Sequence, residues 1–307
     1  MNKILTRFVA AIGAATILSI SSGTALAGGF LDIAFEDAEF SNPLVIDNPY
    51  WPLRPDSNPR TFTYIGETED ECVIDQVSVS DIAHYATYRL KTKDKDSPYY
   101  KFIAVQVLDT EWVFEDFEEF GECGLGLLNS EDIDSDKAIK EKTLDWYAQD
   151  DQGNIWYLGE DSESFEDECG PYPGFGDPDC LEGSWEAGIN GAPDDEDPVI
   201  GEAGIVVPSN EPIDGEPLTS GTYYMQEVAY EAEDMAKVLK LDTSLSVEDG
   251  VDPGKYNNCR TVKEWTLLEP GESVEHKWYC ADGPGLVLIE GLGGGQTEIE
   301  VLIYVTP

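Results

Sequence analysis

The stretch Asp145–Asp161, DWYAQDDQGNIWYLGED, decides the fold because it has the pattern of a complete β-hairpin. Apolar and polar residues alternate on either side of a polar centre, with the period of two that strands have. Gly153 and Asn154 tolerate the positive φ that tight turns require, so we place the turn at Asp151–Gly153. Because cross-strand aromatic pairs stabilise sheets by about 0.2–1 kcal/mol each, the aromatic residues need no ligand to explain them. A platform for sugars or aromatic ligands is the alternative interpretation.

Strand-like segments continue on both sides of this hairpin. They are Thr61–Ile65, Cys72–Ser80, His84–Thr92, Tyr99–Phe117, Gly285–Leu292 and Thr297–Val305. We expect His84–Thr92 to pair with Cys72–Ser80, and Tyr99–Phe117 to form two strands divided near Asp109. Gly291–Gln296 is the predicted turn between the last two strands. Apolar residues fall on one helical face between Val228 and Leu239, which predicts a strand ending near Ala229 and then a helix. The predicted fold is mainly β: an antiparallel sheet, either a sandwich or a half-barrel, with long acidic loops at about residues 160–220 and one short helix.

The first 27 residues have the pattern of a secretory signal. An apolar run follows Lys3 and Arg7 and ends in an A-x-A cleavage site whose last residue is Ala27. The run is shorter than a membrane span and no later segment is apolar enough, so we expect cleavage after Ala27 and a soluble periplasmic or secreted chain without a membrane span. The predicted divisions are a signal peptide at 1–27, an N-terminal lead-in segment at 28–60 and a β-rich domain at 61–307.

The chain is extremely acidic, with 63 Asp and Glu against 18 Lys and Arg and a formal net charge of −45. Binding to phosphates depends on Lys and Arg, so nucleic acids and anionic membranes are poor partners for such a surface, and we expect no nucleic-acid partner. Self-repulsion of such a charge opposes compactness. Salt or bound cations would relieve the repulsion, so the charge indicates either an acidic coat suited to saline surroundings or specific cation binding.

Six cysteines, all after the signal, predict disulfides in an exported protein. Pro270-Gly271 marks a turn midway between Cys259 and Cys280, and a hairpin with a Leu268–Gly271 loop sets these two cysteines directly opposite each other, within disulfide range. Cys169 and Cys180 bracket a Pro/Gly-rich loop and are predicted to staple it. The remaining pair, Cys72–Cys123, follows by elimination. Metal ligation by cysteines is not expected, because the sequence has no C-x-x-C.

A metal site is predicted at Asp132, Asp134 and Asp136, whose D-x-D-x-D spacing begins a calcium-binding loop. The EF-hand pattern then fails, since Lys137 stands in place of the required Gly and Thr143 in place of the bidentate Glu. Ca²⁺ is therefore the one cofactor considered, with chance spacing among abundant acids as the alternative. The acidic run at residues 194–197 has the same two interpretations, a divalent-ion site or a solvated surface.

No catalytic signature is present. The sequence lacks G-x-S-x-G, H-E-x-x-H and phosphate-loop motifs, and it contains only two histidines, His84 and His276. In the cysteine hairpin His276 is placed across from Lys263, which is typical of a hydrogen-bonded or exposed strand histidine more than of a general base. Paired carboxylates of the glycosidase type are not ruled out, because carboxylates are everywhere in this chain.

Several aromatic strings carry a resemblance to a known family. DWYAQDDQGNIWYLGED, GSWEAGINGA, EAEDMA and KEWTLLEPG…VEHKWY, in this order over Asn48–Glu290, resemble an uncharacterised family of exported bacterial proteins and lipoproteins. The resemblance implies export but no assigned activity. The chain departs from the common pattern at WYCADGPGLVLIE, where family members read more like WYAPGVG. Cys280 is therefore a residue that this chain adds to the common pattern. This favours a disulfide specific to this chain over a catalytic thiol shared by the family.

The sequence predicts a secreted or periplasmic, non-enzymatic binding or accessory protein for divalent cations or another extracellular ligand. One alternative is an extracellular hydrolase with paired carboxylates, which an aromatic-lined cleft holding two acids about 5–10 Å apart would favour. Another is a carrier that holds a hydrophobic ligand in a half-open sheet, which a large apolar cavity would favour.

Overall fold

The computed structural model describes residues 28–53, 60–67, 72–79, 87–114, 137–165, 184–193, 197–230, 232–247, 254–268, 274–292 and 298–306. Fourteen strands lie in these residues. Their bounds are β1 Arg60–Glu67, β2 Cys72–Val79, β3 Thr87–Arg89, β4 Ile103–Phe114, β5 Lys137–Gln149, β6 Ile155–Ser164, β7 Trp185–Glu186, β8 Glu202–Val207, β9 Tyr223–Ala229, β10 Ala232–Val247, β11 Gly254–Thr266, β12 Val274–Cys280, β13 Gly285–Gly291 and β14 Glu298–Thr306.

All the strands belong to one sheet, in the order β2-β1-β14-β13-β12-β11-β10-β9-β8-β6-β5-β4-β3, with β7 paired to β6. Pairing between the named strands is antiparallel throughout, and most neighbours follow one another in sequence. The sheet curls until β2, already paired with β1, also pairs with β4. The prediction of a mainly β protein built on an antiparallel half-barrel sheet is confirmed.

The helix predicted after Ala229 is wrong. Residues 232–247 form strand β10, which pairs with β9 on one side and β11 on the other. The helical spacing of Val228, Ala232 and Met235 arose by chance, and pairing on both edges overrides the helix propensity of the segment. Among the described residues the one helical element is a 3-10 turn, Phe35–Asp37.

Three strand assignments also change. Strand β4 runs unbroken past Asp109, because β2 and β5 pair with it on both edges there. The short strand β3 pairs with the start of β4 and not with β2. Strand β8 lies inside the region predicted as acidic loop, where the apolar residues after Gly204 pair with β6. In each case a long-range partner, invisible in a local window of sequence, determines the structure.

The two predicted hairpins are confirmed. Strands β5 and β6 pair around the turn, with Tyr147 opposite Tyr157. Cys259 lies opposite Cys280 in β11 and β12, and the two form a disulfide with a Cα–Cα distance of 4.0 Å. Cys72 is also disulfide-bonded. Cys123, Cys169 and Cys180 lie outside the described residues, so the Cys169–Cys180 and Cys72–Cys123 pairings stay predictions.

The lead-in segment wraps around the tip of the β5–β6 hairpin. Ser41 donates backbone and side-chain hydrogen bonds to Asp151, each 2.7 Å long, and the Asn48 amide donates to the Gly153 carbonyl at 2.7 Å. Upstream of this contact Phe35 packs against Trp156, with ring centroids 5.3 Å apart. The lead-in segment thereby contributes buried apolar side chains to the main hydrophobic core, namely Leu31, Phe35, Ile46, Tyr50 and Leu53.

Candidate functional site

The curl of the sheet encloses a cleft of about 230 Å³ on its inner face. Strands that are far apart in the sheet order, β2, β4 and β5 on one side and β12 and β13 on the other, line it together with the lead-in segment. The lining comprises six acids and one lysine (Asp75, Asp109, Glu111, Glu141, Asp145, Glu275 and Lys277), four aromatic residues (Trp51, Tyr64, Tyr147 and Tyr279), and Val77, Thr143, Leu286 and Ile289. We call this space the acidic cleft.

Strand register brings the acids together. Asp75 lies opposite Glu111, and Glu111 lies opposite Glu141, so three neighbouring strands place one acid each in a single row. Residues directly opposite one another share a face of the sheet, as do residues two apart along a strand. Asp109 is two residues before Glu111 and therefore faces the same cleft. The same period brings Asp145 to this face in β5.

Aromatic side chains form the rest of the wall. Trp51, from the lead-in segment, lies between the two sides of the cleft, with its ring centroid 5.1 Å from that of Tyr147 and 6.5 Å from that of Tyr279. Its indole N–H is buried and donates to no described residue. The Tyr64 hydroxyl donates to the Leu286 carbonyl at 3.3 Å. The cleft thus combines carboxyl groups with aromatic rings, and it has a buried donor available to a ligand.

Lys277 is the single basic residue in the lining. Its ammonium group lies 2.9 Å from a carboxylate oxygen of Glu264 and 3.0 Å from one of Glu275. Burial by itself would lower the pKa of Lys277, but these two carboxylates outweigh it and raise the pKa well above its ordinary value. Lys277 therefore stays charged, and its charge is already matched by two carboxylates.

Two acids of the cleft, Asp109 and Asp145, hold their protons more tightly than usual. Burial is the main cause that raises the pKa of Asp109, and the charge of Glu141 adds to it. Burial, reinforced by the neighbouring Asp109, raises the pKa of Asp145 to about 8. Asp75 and Asp109 hydrogen bond to each other through their side chains. Like charges crowded in a poorly solvated site are unfavourable, so the empty cleft retains protons at neutral pH.

A hydrogen-bond chain leads away from the cleft. The Tyr157 hydroxyl lies 2.7 Å from Asp145 Oδ1 and 2.8 Å from Glu160 Oε2. Tyr157 and Glu160 are three residues apart, yet both lie on the inner face because the β5–β6 register shifts between Asp145 and Tyr147. Gly159 permits this irregularity: its φ is +132°, and a Cβ there would lie 2.3 Å from the Trp185 carbonyl oxygen. The bulge therefore creates the chain.

A second carboxyl pair lies beyond Glu160. Glu227 in β9 is directly opposite Asp234 in β10, and their side chains hydrogen bond. The Trp185 indole donates to Glu227 Oε2 at 2.7 Å. Burial, followed by the charge of Asp234, raises the pKa of Glu227 to about 8. Buried acids thus continue from the cleft into the wall of the half-barrel.

The structure does not describe the metal-site residues predicted from sequence. Asp132, Asp134 and Asp136 lie outside the described residues, as do residues 194–196 of the second acidic run and His84. His276 is opposite Lys263, as predicted, and its Nδ1 lies 4.0 Å from Glu290 Oε2. Within the part of the chain that the structure describes, no group of three or more His, Cys, Asp or Glu side chains could hold a metal ion.

Sequence reasoning missed the residues of the acidic cleft. Asp75 and Asp109 stand in the middle of apolar strand sequences, where a lone acid is unusual and usually needs a partner. An acid within an apolar strand was the feature that could have marked the site. It did not stand out because acids are abundant in the chain, and only the strand register shows which acids share a face of the sheet.

Two further cavities are present. One of about 580 Å³ lies beside the lead-in segment and is lined by apolar residues such as Leu31, Phe35 and Met225, but also by Asp32, Glu36, Asp94 and Glu202. It is therefore not the purely apolar chamber that suits a carrier of hydrophobic ligands. The other, of about 280 Å³, is lined partly by Lys91, Trp146, Glu160, Trp185 and Glu186. We call it the outer cavity.

Fold and cleft together define a mainly β protein in which one curled antiparallel sheet surrounds an acidic, aromatic-lined interior. A comparison with solved structures matches the chain to an exported protein with a YmcC-like fold from Bacteroides fragilis, with a TM-score of 0.33, 11% identity and coverage of 82% of this chain and 98% of that one. It also matches the chain to a lipoprotein from Parabacteroides distasonis, with a TM-score of 0.35, 10% identity and coverage of 83% and 98%. No protein-family model matches the chain, and no curated protein matches it in sequence. None of the helical structure in the described residues is long and apolar enough to cross a membrane.

Proposed function

We propose that this protein is an exported, non-enzymatic binding protein whose acidic cleft takes up a small organic cation, an ammonium group carried on a short carbon chain. The observation that carries the proposal is the lining of the cleft, with six acids and one lysine among four aromatic side chains. Export is proposed on the signal-like first 27 residues.

The charge balance favours a cation. Glu264 and Glu275 already neutralise Lys277, and the described residues of the lining include no second basic side chain beside Asp109, Glu141 and Asp145. A cation placed among them would stabilise their ionised forms, which burial disfavours in the empty cleft. Aromatic ring faces attract cations as well, with a free energy that reaches about 2 kcal/mol in desolvated sites.

The aromatic wall favours an organic cation over a metal ion. Ca²⁺ takes six to eight oxygen ligands, and no described cluster of three metal-binding side chains exists. A carbon chain bearing an ammonium group instead gains from both kinds of lining, the carboxyl groups and the rings of Trp51, Tyr147 and Tyr279.

Binding is tested by calorimetric titration with 1,4-diaminobutane and spermidine, with 1,4-butanediol as the uncharged control, at matched ionic strength. We expect saturable binding of the amines and none of the diol. Asp109→Asn, which replaces an acid in the cleft with a neutral side chain of the same shape, should weaken amine binding by about tenfold, equivalent to about 1.4 kcal/mol.

Glu216→Gln is the matched control, since Glu216 is exposed and outside the cleft lining. It should leave the affinity unchanged. If neither amine gives saturable heat or raises the melting temperature of the wild-type protein, the proposal is wrong.

A hydrolase is the second candidate, favoured by the hydrogen-bonded carboxyl groups of Asp75 and Asp109 in an aromatic-lined cleft. Two carboxyl groups that share a proton can act as acid and base in hydrolysis. Turnover of fluorogenic glycosides or peptides between pH 4 and 8 that Asp109→Asn abolishes would establish it. Its absence across both substrate classes would leave the binding role.

Calcium binding at Asp132, Asp134 and Asp136 is a separate proposal that rests on their D-x-D-x-D spacing. Calorimetric titration of the protein with Ca²⁺, beside the triple Asp→Asn variant, tests it. Heat that persists in the variant would assign any calcium bound to another place, and no heat in the wild type would remove the calcium site.

A further inference from the structure

The Asp145–Tyr157–Glu160 chain connects two cavities. Asp145 lines the acidic cleft, Glu160 lines the outer cavity, and Tyr157 bridges their carboxyl groups with contacts of 2.7 and 2.8 Å. The linings of the two cavities have no residue in common, so the chain is a continuous hydrogen-bonded link between two distinct cavities.

The chain must contain an additional proton. A phenol hydroxyl has one hydrogen and can donate it to one of the two carboxyl groups. The contact with the other is a hydrogen bond only if that carboxyl group is protonated and donates to the phenol oxygen. Two carboxyl groups and one hydroxyl therefore hold two hydrogens between them, and one of these is acidic.

We propose that this acidic proton is exchanged for the cation that enters the acidic cleft, and that it leaves through Glu160 into the outer cavity. This inference rests on the proposed function. When the ammonium group binds beside Asp145, Asp145 ionises and accepts the Tyr157 hydrogen, and the proton of Glu160 passes to solvent. At this position one ammonium charge enters and one proton leaves, so the net charge of the buried chain together with that ammonium group is unchanged.

The surroundings of the chain support this exchange. Burial, followed by the charges of neighbouring acids, raises the pKa of both Asp145 and Glu160, so one shared proton is retained at neutral pH. The charged and titratable groups that face the chain are Asp109 and Glu141 from β4 and β5, Tyr147 from β5, Glu227 from β9, Lys277 from β12, and Lys91, Asp161 and Glu186 around the outer cavity. Lys277, already paired with Glu264 and Glu275, is the cation among them that lowers the pKa of Asp145.

The test counts protons released as spermidine binds, by calorimetry at pH 7 in two buffers of different ionisation enthalpy. We expect Glu160→Gln to release about one proton fewer per spermidine than the wild type, because a Gln amide donates permanently to the Tyr157 oxygen and leaves Asp145 ionised. The same variant should remove the pH dependence of spermidine affinity between pH 6 and 8.

Glu186→Gln is the matched control. Glu186 also lines the outer cavity and accepts a hydrogen bond from a phenol, that of Tyr88 at 2.7 Å, but it lies outside the chain. Its proton release should equal that of the wild type. If Glu160→Gln releases as many protons as the wild type, the exchange is overturned while amine binding stands.

If spermidine does not bind, the exchange falls with the proposed function, and the shared proton is tested in the empty protein. Infrared difference spectra at pH 7 between the wild type and Glu160→Gln should show loss of a protonated carboxyl band. An unchanged band would overturn the shared proton itself, and a lost band with no amine binding would retain the proton but reject the exchange.

Discussion

The two faces of the β5–β6 hairpin are equally buried but chemically opposite. Trp146 and Trp156 lie on the outer face, 2% and 0% exposed, and pack among aromatic rings. Asp145 and Tyr157 lie on the inner face, 6% and 9% exposed, and hydrogen bond to each other. Burial of the outer face stabilises the fold, whereas the inner face buries acids that oppose it. Burial alone therefore does not distinguish a core from a site, but the chemistry of the buried atoms does.

The outer face should be the more sensitive to truncation. Trp156→Ala removes a fully buried ring that contacts Phe35 and an indole that donates to Asp150 at 2.9 Å. We expect the free energy of unfolding to fall by about 3–5 kcal/mol, measured by urea denaturation. Tyr157→Phe on the inner face removes one hydroxyl and should cost no more than about 1.5 kcal/mol. Equal losses would contradict the distinction between the faces.

Lowering the pH should stabilise the protein, because buried acids of the inner face hold protons in the folded state. Asp145 and Glu227 have pKa values near 8 in the folded protein, against about 4 when unfolded, so the folded state binds more protons between these values. Their stabilising contribution is complete below about pH 4 and is lost as pH rises through 8. From pH 5.5 to 7.5 we expect the free energy of unfolding to fall by about 2–3 kcal/mol for each of the two acids, since each retained proton contributes about 1.4 kcal/mol per pH unit.

Urea denaturation at a series of pH values measures this slope, and Asp145→Asn should roughly halve it, because Glu227 still titrates in that variant. A stability that does not change over this interval would show that the inner acids ionise as freely as in the unfolded chain.

Removing the single lysine of the cleft sharpens the same comparison. Lys277→Met leaves Glu264 and Glu275 without their cation. We expect the free energy of unfolding to fall by about 2 kcal/mol at pH 7.5. This is less than the roughly 3–5 kcal/mol typical of fully buried pairs, because the Lys277 side chain is 23% exposed. Denaturation at pH 7.5 measures it. Lys263→Met provides the control, because Lys263 lies in the neighbouring strand β11. It should lower the free energy of unfolding by less than about 1 kcal/mol.

The contact between the lead-in segment and the hairpin tip gives the smallest expected effect. Asn48→Ala removes the hydrogen bond to Gly153 and the one that Asn48 accepts from the Tyr50 amide at 2.9 Å. We expect a loss of about 1 kcal/mol for this side chain and faster proteolysis near it. Limited proteolysis followed by mass spectrometry checks the location. Cleavage that is no faster than in the wild type would show that Phe35 and the residues around it hold the segment without Asn48.

The sequence was sufficient where local patterns determine structure. Alternation around Gly153 predicted the hairpin, and the midpoint between Cys259 and Cys280 predicted their register and disulfide. It was insufficient where pairing on both edges overrides a helix-like spacing, as in residues 232–247, which form a strand between β9 and β11. The acidic cleft was beyond sequence reasoning because its acids come together only through pairing of strands that are distant in sequence. Asp75 and Asp109 meet only because β2 pairs with β4, and 63 acids offered no way to select them.

The pairing of β1 with β14 has a consequence for how the chain reaches this shape. A chain is synthesised and threaded in order, so Arg60–Glu67 emerges long before its neighbour Glu298–Thr306. One edge of that early strand therefore stays unpaired until translation is nearly complete. Contacts between residues so distant in sequence form slowly, and the folding intermediates that precede them are prone to aggregate. The strong mutual repulsion of so negative a polypeptide keeps neighbouring copies apart during that delay.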